Sequence, residues 1–226
     1  MNLTPEELNW KLLDIATHEM RNPLATILGF CDLLSLEDDQ EKRKQYLGYV
    51  QEKALRMNGL ILQLLDISRH HLGKAMPTQQ RPHEISQFVT QHKKSWEDLG
   101  QIIFTVDVEE ANLMIDKDRF QVLFDELCTN ALKFGRRIPR ITLQGRRSTD
   151  WYELMIQDNG PGILEAHRAQ ALELFWSSPA PNGKTPGMGL GLASVKAIMK
   201  AHEGTILLDD APEGGLKILL RFPLKT

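Results

Sequence analysis

Apolar residues recur at Leu8, Leu12 and Ile15, then at Met20, Leu24, Ile27, Cys31 and Leu34. This three-and-four spacing predicts one long amphipathic helix whose stripe is interrupted only around residue 18. Thr4-Pro5-Glu6-Glu7 supplies its start, with Thr4 as N-cap, Pro5 in the first helical position and Glu7 completing a capping box. Ser35-Leu36-Glu37-Asp38-Asp39 reads as a turn. A second helix then places Leu47, Val50, Ala54, Met57, Ile61 and Leu64 at heptad spacing. Two long helices joined by a short turn form an antiparallel hairpin. Leu60, Leu65 and Ile67 widen the second stripe beyond what one hairpin can cover, so pairing of two copies into a four-helix bundle, a homodimer, is expected. His70-His71-Leu72-Gly73 reads as the helix end, with Gly73 suited to a C-cap.

The pattern then changes. A hairpin domain over residues 1–74, a linker over 75–82 holding Pro77 and Pro82, and a second domain over 83–226 are expected. In the second domain the pattern predicts a helix over 83–98, strands over 102–106 and 113–115, and a helix over 117–134. Strands over 140–146 and 151–157, a helix over 189–202 and a closing hairpin of strands 204–209 and 216–222 around Glu213-Gly214-Gly215 complete it. The fold class is α+β: a helical hairpin followed by a two-layer α/β sandwich.

Composition narrows the function. The net charge of -3 gives no field to attract nucleic acid or anionic membrane, and the basic cluster at Arg136, Arg137, Arg140, Arg146 and Arg147 reads as a solvated edge. No apolar run approaches the roughly 18 residues needed to span a bilayer, and the acidic N-terminus lacks a signal-peptide pattern, so a cytoplasmic chain without membrane contact is expected. Cys31 and Cys128 lie in apolar helical patterns and are expected to be buried thiols. His83, His92, His167 and His202 are expected at the surface.

Four segments carry candidate chemistry. In Thr17-His18-Glu19-Met20-Arg21-Asn22-Pro23-Leu24, a histidine and an i+4 carboxamide share a helical face, with an acid adjacent to the histidine. In Asp125-Glu126-Leu127-Cys128-Thr129-Asn130-Ala131-Leu132-Lys133-Phe134, the side chains of Glu126, Asn130 and Lys133 project from one face, a set suited to a Mg²⁺–triphosphate, although an ordinary polar helix face would look the same. Asp158-Asn159-Gly160-Pro161-Gly162 follows an alternating strand. A carboxylate there can accept from the exocyclic amine of adenine while Gly160 and Gly162 allow close backbone approach, although the same residues make a tight turn. Gly187-Met188-Gly189-Leu190-Gly191 runs into a helix whose free N–H groups suit an anion. The stretch from Phe175 to Pro186 before it is expected to be a mobile lid.

In this order, His-Glu-x-x-Asn-Pro-Leu, Asn-Ala-x-Lys-Phe, Asp-x-Gly-x-Gly, Phe175 and Gly-x-Gly-x-Gly, the chain resembles the sensor histidine kinases of two-component signalling: a dimerisation and phosphotransfer hairpin joined to a Bergerat-type ATP-binding domain. The resemblance implies that His18 accepts the γ-phosphoryl group of ATP, that Glu19 orients the ring and takes its proton, and that Asn22 helps place a water for dephosphorylating a partner. It implies that Asn130 is a Mg²⁺ ligand, Lys133 a phosphate contact, Phe134 an aromatic against adenine and Asp158 the adenine-reading carboxylate. Gly187, Gly189 and Gly191, with Leu190 between the last two, match the phosphate-side hinge. The implied cofactors are ATP and Mg²⁺, and the implied partner is an aspartate-bearing response-regulator receiver on another chain. Glu126 departs from the family, which often has asparagine there. It either promotes ATP hydrolysis or binds Mg²⁺ through water. A non-catalytic nucleotide-binding scaffold and a Bergerat ATPase or serine kinase are the alternatives. Glu19, Asn130 and Asp158 argue against the scaffold, and the long hairpin bearing His18 is superfluous for the ATPase or serine kinase.

Overall fold

The computed structural model describes residues 4–71, 76–98, 102–135, 138–178, 189–212 and 214–224. The chain divides into two compact units, Met1–Ala75 and Met76–Thr226.

The first unit is a hairpin of α1 (Pro5–Leu36) and α2 (Gln40–His71). Its ends are set by local hydrogen bonds. Glu7 N–H donates to Thr4 Oγ1 at 3.3 Å, and Thr4 N–H donates to the Glu7 carboxylate at 2.8 Å, the expected capping box. Asp39 Oδ1 accepts from the Glu41 and Lys42 amides to start α2. Arg43 Nη1 donates to the Leu34 and Glu37 carbonyls at 2.8 and 2.9 Å, satisfying acceptors at the end of α1. Near the turn Phe30 stacks on Tyr49 with ring centroids 4.9 Å apart. α1 continues through Pro23, which lacks the N–H that would have bonded the Glu19 carbonyl.

The hairpin leaves an apolar stripe uncovered. Leu13, Leu24 and Leu28 on α1 and Leu47, Ile61 and Leu65 on α2 are all exposed. Cys31, expected to be buried, is exposed too. It lies seven residues after Leu24 and three after Leu28, so it shares their face. No helix among the described residues is long and apolar enough to cross a membrane.

The second unit layers helices on a five-stranded sheet. Its strands are β2 (Ile103–Val108), β4 (Arg140–Arg147), β5 (Trp151–Asp158), β6 (Thr205–Asp210) and β7 (Leu216–Pro223), in the order β2-β4-β5-β7-β6. Only β2–β4 is parallel. A separate antiparallel pair joins β1 (Arg81–Glu84) to β3 (Asn112–Ile115). The helices are α3 (Ile85–Asp98), α4 (Lys117–Phe134), the short α5 (Glu165–Ala171) and α6 (Gly191–Ala201). Alternation along the strands buries Ile141 and Leu143, then Tyr152, Leu154 and Ile156, then Ile218, Leu220 and Phe222. They pack with Phe120, Leu123 and Phe124 of α4 and Val195, Ile198 and Met199 of α6. The Phe120 and Phe222 ring centroids are 5.5 Å apart. Each such side chain contributes about 1.5–3 kcal/mol by leaving water.

β1 begins inside the stretch expected to be linker, and α3 starts two residues later than expected. The incoming chain is held by buried polar groups. Gln79 N–H donates to Asp116 Oδ2 at 2.7 Å, and Gln80 Nε2 donates to the Ala201 carbonyl at 2.9 Å. Asp116 Oδ1 accepts from Arg119 N–H and so caps α4. His202, expected at the surface, is buried beside this cap. Its Nε2 accepts from the Asp116 amide at 2.9 Å, so Nδ1 carries the proton and donates to the Ile198 carbonyl at 2.7 Å.

A second buried tie tests the sheet. The Tyr152 hydroxyl donates to the Glu109 carbonyl at 2.7 Å, and a Cβ added at Gly145 would lie 2.1 Å from that hydroxyl oxygen. Gly145→Ala is expected to destabilise the protein by about 1–3 kcal/mol, the cost of overpacking plus a displaced hydrogen bond. Tyr152→Phe in the same chain should recover part of that loss. Denaturant unfolding of the two single variants and the double variant measures the coupling.

Candidate functional site

The candidate residues fall into two groups, one in each unit. On α1, His18 is exposed, with 68% of its side chain accessible. Its Nε2 lies 3.6 Å from Asp14 Oδ1, one turn earlier on the same face. Glu19 is not directed at the ring in the same way. It is half-buried and lines a groove with Asn22, Pro23 and Thr26 of α1 and Lys53 and Arg56 of α2. His18 and Asn22 share a face as expected, and Asn22 extends into that groove. The Thr26 hydroxyl donates to the Asn22 carbonyl at 3.0 Å, which steadies the backbone beside Pro23.

In the second unit α4 gathers most of the candidates. Glu126 and Asn130 face the start of α6: a Cβ on Gly191 would lie 2.4 Å from Glu126 Oε2 and 3.6 Å from Asn130 Nδ2. Gly191 thus lets the α6 backbone reach these two side chains. The α6 N-cap, Leu190, is buried and provides no side-chain hydrogen bond, so the first-turn amides have no cap from it. Further along α4, Lys133 Nζ lies 5.4 Å from the centroid of the Phe134 ring. From Glu126 to Phe134 the helix rises roughly 12 Å at 1.5 Å per residue, the length of an extended nucleotide.

Asp125, adjacent to Glu126, belongs to the opposite side. It accepts a hydrogen bond from Trp96 Nε1 of α3 at 3.1 Å, and burial raises its carboxyl above the usual range. Burial also pushes up the Cys128 thiol, which is inert in consequence.

Asp158 closes the other end. Its Oδ1 accepts from Gly160 N–H at 2.7 Å and from Leu216 N–H at 3.1 Å. Among the described residues no hydrogen bond is made to Oδ2, which can take a ligand donor. Burial raises the Asp158 carboxyl above its ordinary range, and the two amides oppose that shift. The approach of β7 depends on Gly215, at φ 110°, where an added Cβ would lie 1.9 Å from the Asp158 carbonyl oxygen. Gly215 was visible in the sequence only as part of a turn. The carbonyl of Gly215 in turn meets Gly162, at φ 73°, where a Cβ would come within 2.9 Å of it. Gly160 sits between the Asp158 carboxylate and the backbone of Phe134 and Gly135, which joins this loop to the end of α4.

The start of the expected lid is tied to the residue two positions before α6. Phe175, at φ 65°, donates its N–H to the Gly189 carbonyl at 2.9 Å, and Gly189, at φ 67°, packs against the Trp176 backbone. Gly187 and the stretch 179–188 lie outside the described residues.

Residues 115–226 match the family described as histidine kinase-, DNA gyrase B-, and HSP90-like ATPase, and residues 11–73 match the His Kinase A (phospho-acceptor) domain. The chain therefore belongs to the sensor histidine kinases of two-component signalling. It is 30% identical over 216 residues to the probable sensor histidine kinase TcrY of Mycobacterium tuberculosis, covering 92% of this chain and 44% of that protein. The solved mycobacterial sensor histidine kinase MprB is 26% identical, with a TM-score of 0.56 over 64% of this chain and 97% of that one. The fold is shared with histidine kinase ThkA in its complex with the response regulator protein TrrA, at 19% identity and a TM-score of 0.57, covering 94% of this chain and 61% of that one. The chain spans less than half the length of the curated relatives it matches.

Asp158 gives a test that separates folding from binding. Because its folded-state value is raised, its favourable contribution is present in acid and is lost as pH rises through that value. The buried charge therefore costs stability at neutral pH. Asp158→Asn keeps an oxygen for the two amides and turns an NH₂ toward the ligand. The expected outcome at neutral pH is an unchanged or higher melting temperature, with affinity for an adenine nucleotide reduced about tenfold or more, equivalent to about 1.4 kcal/mol. Calorimetric titration and thermal unfolding check the two halves.

Proposed function

We propose that the chain is the catalytic portion of a protein-histidine kinase, transferring the γ-phosphoryl group of ATP to His18 and from there to an aspartate on a response-regulator receiver. The observation that carries this reading is the exposure of His18 on a helix that belongs to the phospho-acceptor family. A phosphoacceptor must be reached twice, by donor and by receiver, and a buried histidine could not serve. Residues 1–74 act as the dimerisation and phosphotransfer hairpin and residues 83–226 as the ATP-binding domain. The uncovered stripe of Leu13, Leu24, Leu28, Leu47, Ile61 and Leu65 supports a homodimer, since burying such a stripe is what pairs hairpins into bundles. The ThkA–TrrA complex supports a receiver as partner.

Asp158 Oδ2 accepts from the adenine amine, Phe134 supports the ring, and Lys133 and the first-turn amides of α6 meet the phosphates. Glu126 Oε2 and the Asn130 carboxamide lie together at the start of α6, and a carboxylate with a carboxamide oxygen would fit Mg²⁺. Among the described residues no three His, Cys, Asp or Glu side chains form a metal site by themselves, so the ion would share its ligands with the phosphates. When bound, Mg²⁺ supplies charge neutralisation at the phosphates. Glu19, once turned from its groove toward the ring, takes the ring proton as the imidazole attacks, and Asn22 positions water when the receiver is dephosphorylated.

With γ-labelled ATP and Mg²⁺ the protein should acquire acid-labile, alkali-stable label, and His18→Ala should lose it entirely. Label on an acid-stable hydroxyl ester would instead assign a serine kinase. Nucleotide binding with neither label nor phosphate release would assign a scaffold.

A further inference from the structure

We propose that Asp14 is a charged neighbour of the accepting nitrogen that raises the energy of the phosphorylated state of His18 and so speeds its discharge. The inference deepens the kinase reading and rests on it. Helical side chains lean toward the N-terminus, so the His18 ring lies over the preceding turn, where Asp14 stands four residues earlier. Asp14 Oδ1 is 3.6 Å from Nε2, too far for a hydrogen bond but close enough for charge to act. Glu19 is placed differently: one residue later it projects about 100° around the helix, into the groove that holds Lys53 and Arg56. The two carboxylates beside His18 therefore have different surroundings. Asp14 makes no ion pair except with His18 among the described residues.

On phosphorylation the Nε2 lone pair forms the P–N bond. The bond from the γ-phosphorus to the bridging oxygen breaks, its electron pair leaves on ADP, and the ring releases the proton on Nδ1. The new phosphoryl group carries negative charge into the neighbourhood of Asp14, which repels it. On discharge the P–N bond breaks, its electron pair returns to the ring, the ring takes up a proton, and phosphorus bonds to the oxygen of the receiver carboxylate or of water. Asp14 favours that direction by repelling the phosphoryl group. Both side chains are more than two-thirds exposed, so the effect is screened by salt and amounts to about fivefold.

The test measures an equilibrium and a lifetime. Labelled phosphoprotein is incubated with graded ADP, and the constant relating ATP and free His18 to ADP and phosphorylated His18 is determined. Asp14→Asn should shift it about fivefold toward the phosphorylated form at low ionic strength, with the difference shrinking in high salt. Asp14→Glu, which keeps the charge, should stay near wild type. In a second arm potassium phosphoramidate phosphorylates the protein without nucleotide. The lifetime of the His18 signal, identified by its absence in His18→Ala, is followed by phosphorus NMR and should lengthen about fivefold in Asp14→Asn. An unchanged constant and lifetime in Asp14→Asn, or a Glu variant that behaves like the Asn variant, would overturn the proposal. Failure of ATP to label His18 would refute the kinase reading alone, since the phosphoramidate arm still decides the role of Asp14.

Discussion

The nucleotide end of this protein depends on dividing the labour of one carboxylate. Asp158 is half-buried at the end of β5, where partial loss of water makes a charge costly. Two amides from separate segments, Gly160 and Leu216, converge on Oδ1, and among the described residues no hydrogen bond is made to the other oxygen. The clamp is possible only because Gly215 lets the β6–β7 turn touch the Asp158 backbone and Gly160 lets the loop fold back against the end of α4. Each of these glycines removes a methyl group that would force the pieces apart, so the binding direction of the carboxylate is a property of the backbone around it.

The hairpin meets the opposite requirement. Its histidine is accessible, and its apolar residues are distributed so that one stripe seals α1 against α2 while another remains uncovered. Charge around the histidine is divided as well, with Glu19 in a groove lined by cations and Asp14 in solvent. A helix can do this because residues one and four positions away lie on different sides of its axis.

Much of this was legible in the chain. The capping box at Thr4 and Glu7, the bounds of α4 and the strands with alternating burial follow from local spacing alone, and the structure has them where that spacing predicts. Other features depend on partners remote in sequence. β1 has no apolar alternation and includes Pro82; it is a strand because β3 pairs with it. α5 has only seven residues, too few for a periodic signal. His202 is buried because the Asp116 amide and the Ile198 carbonyl satisfy both ring nitrogens, and the residues flanking it carry no trace of that. Cys31 follows the apolar pattern faithfully, yet that pattern cannot say whether the hairpin itself covers it, and it does not. Within the site, Glu126 and Asn130 could be paired from their spacing, whereas the role of Gly215 required knowing which strand lies beside β5.

The hydrogen bond between Phe175 and Gly189 joins the two ends of the loop that separates α5 from α6. Once the stem is tied, the number of residues above it no longer sets the distance between the helices. Closing a loop twice as long adds only about 0.6 kcal/mol, so insertions and deletions there cost little while the frame below stays in register. The frame beneath the loop, in which Gly191 faces Glu126 and Asn130, is therefore set by the tie rather than by the length of the loop.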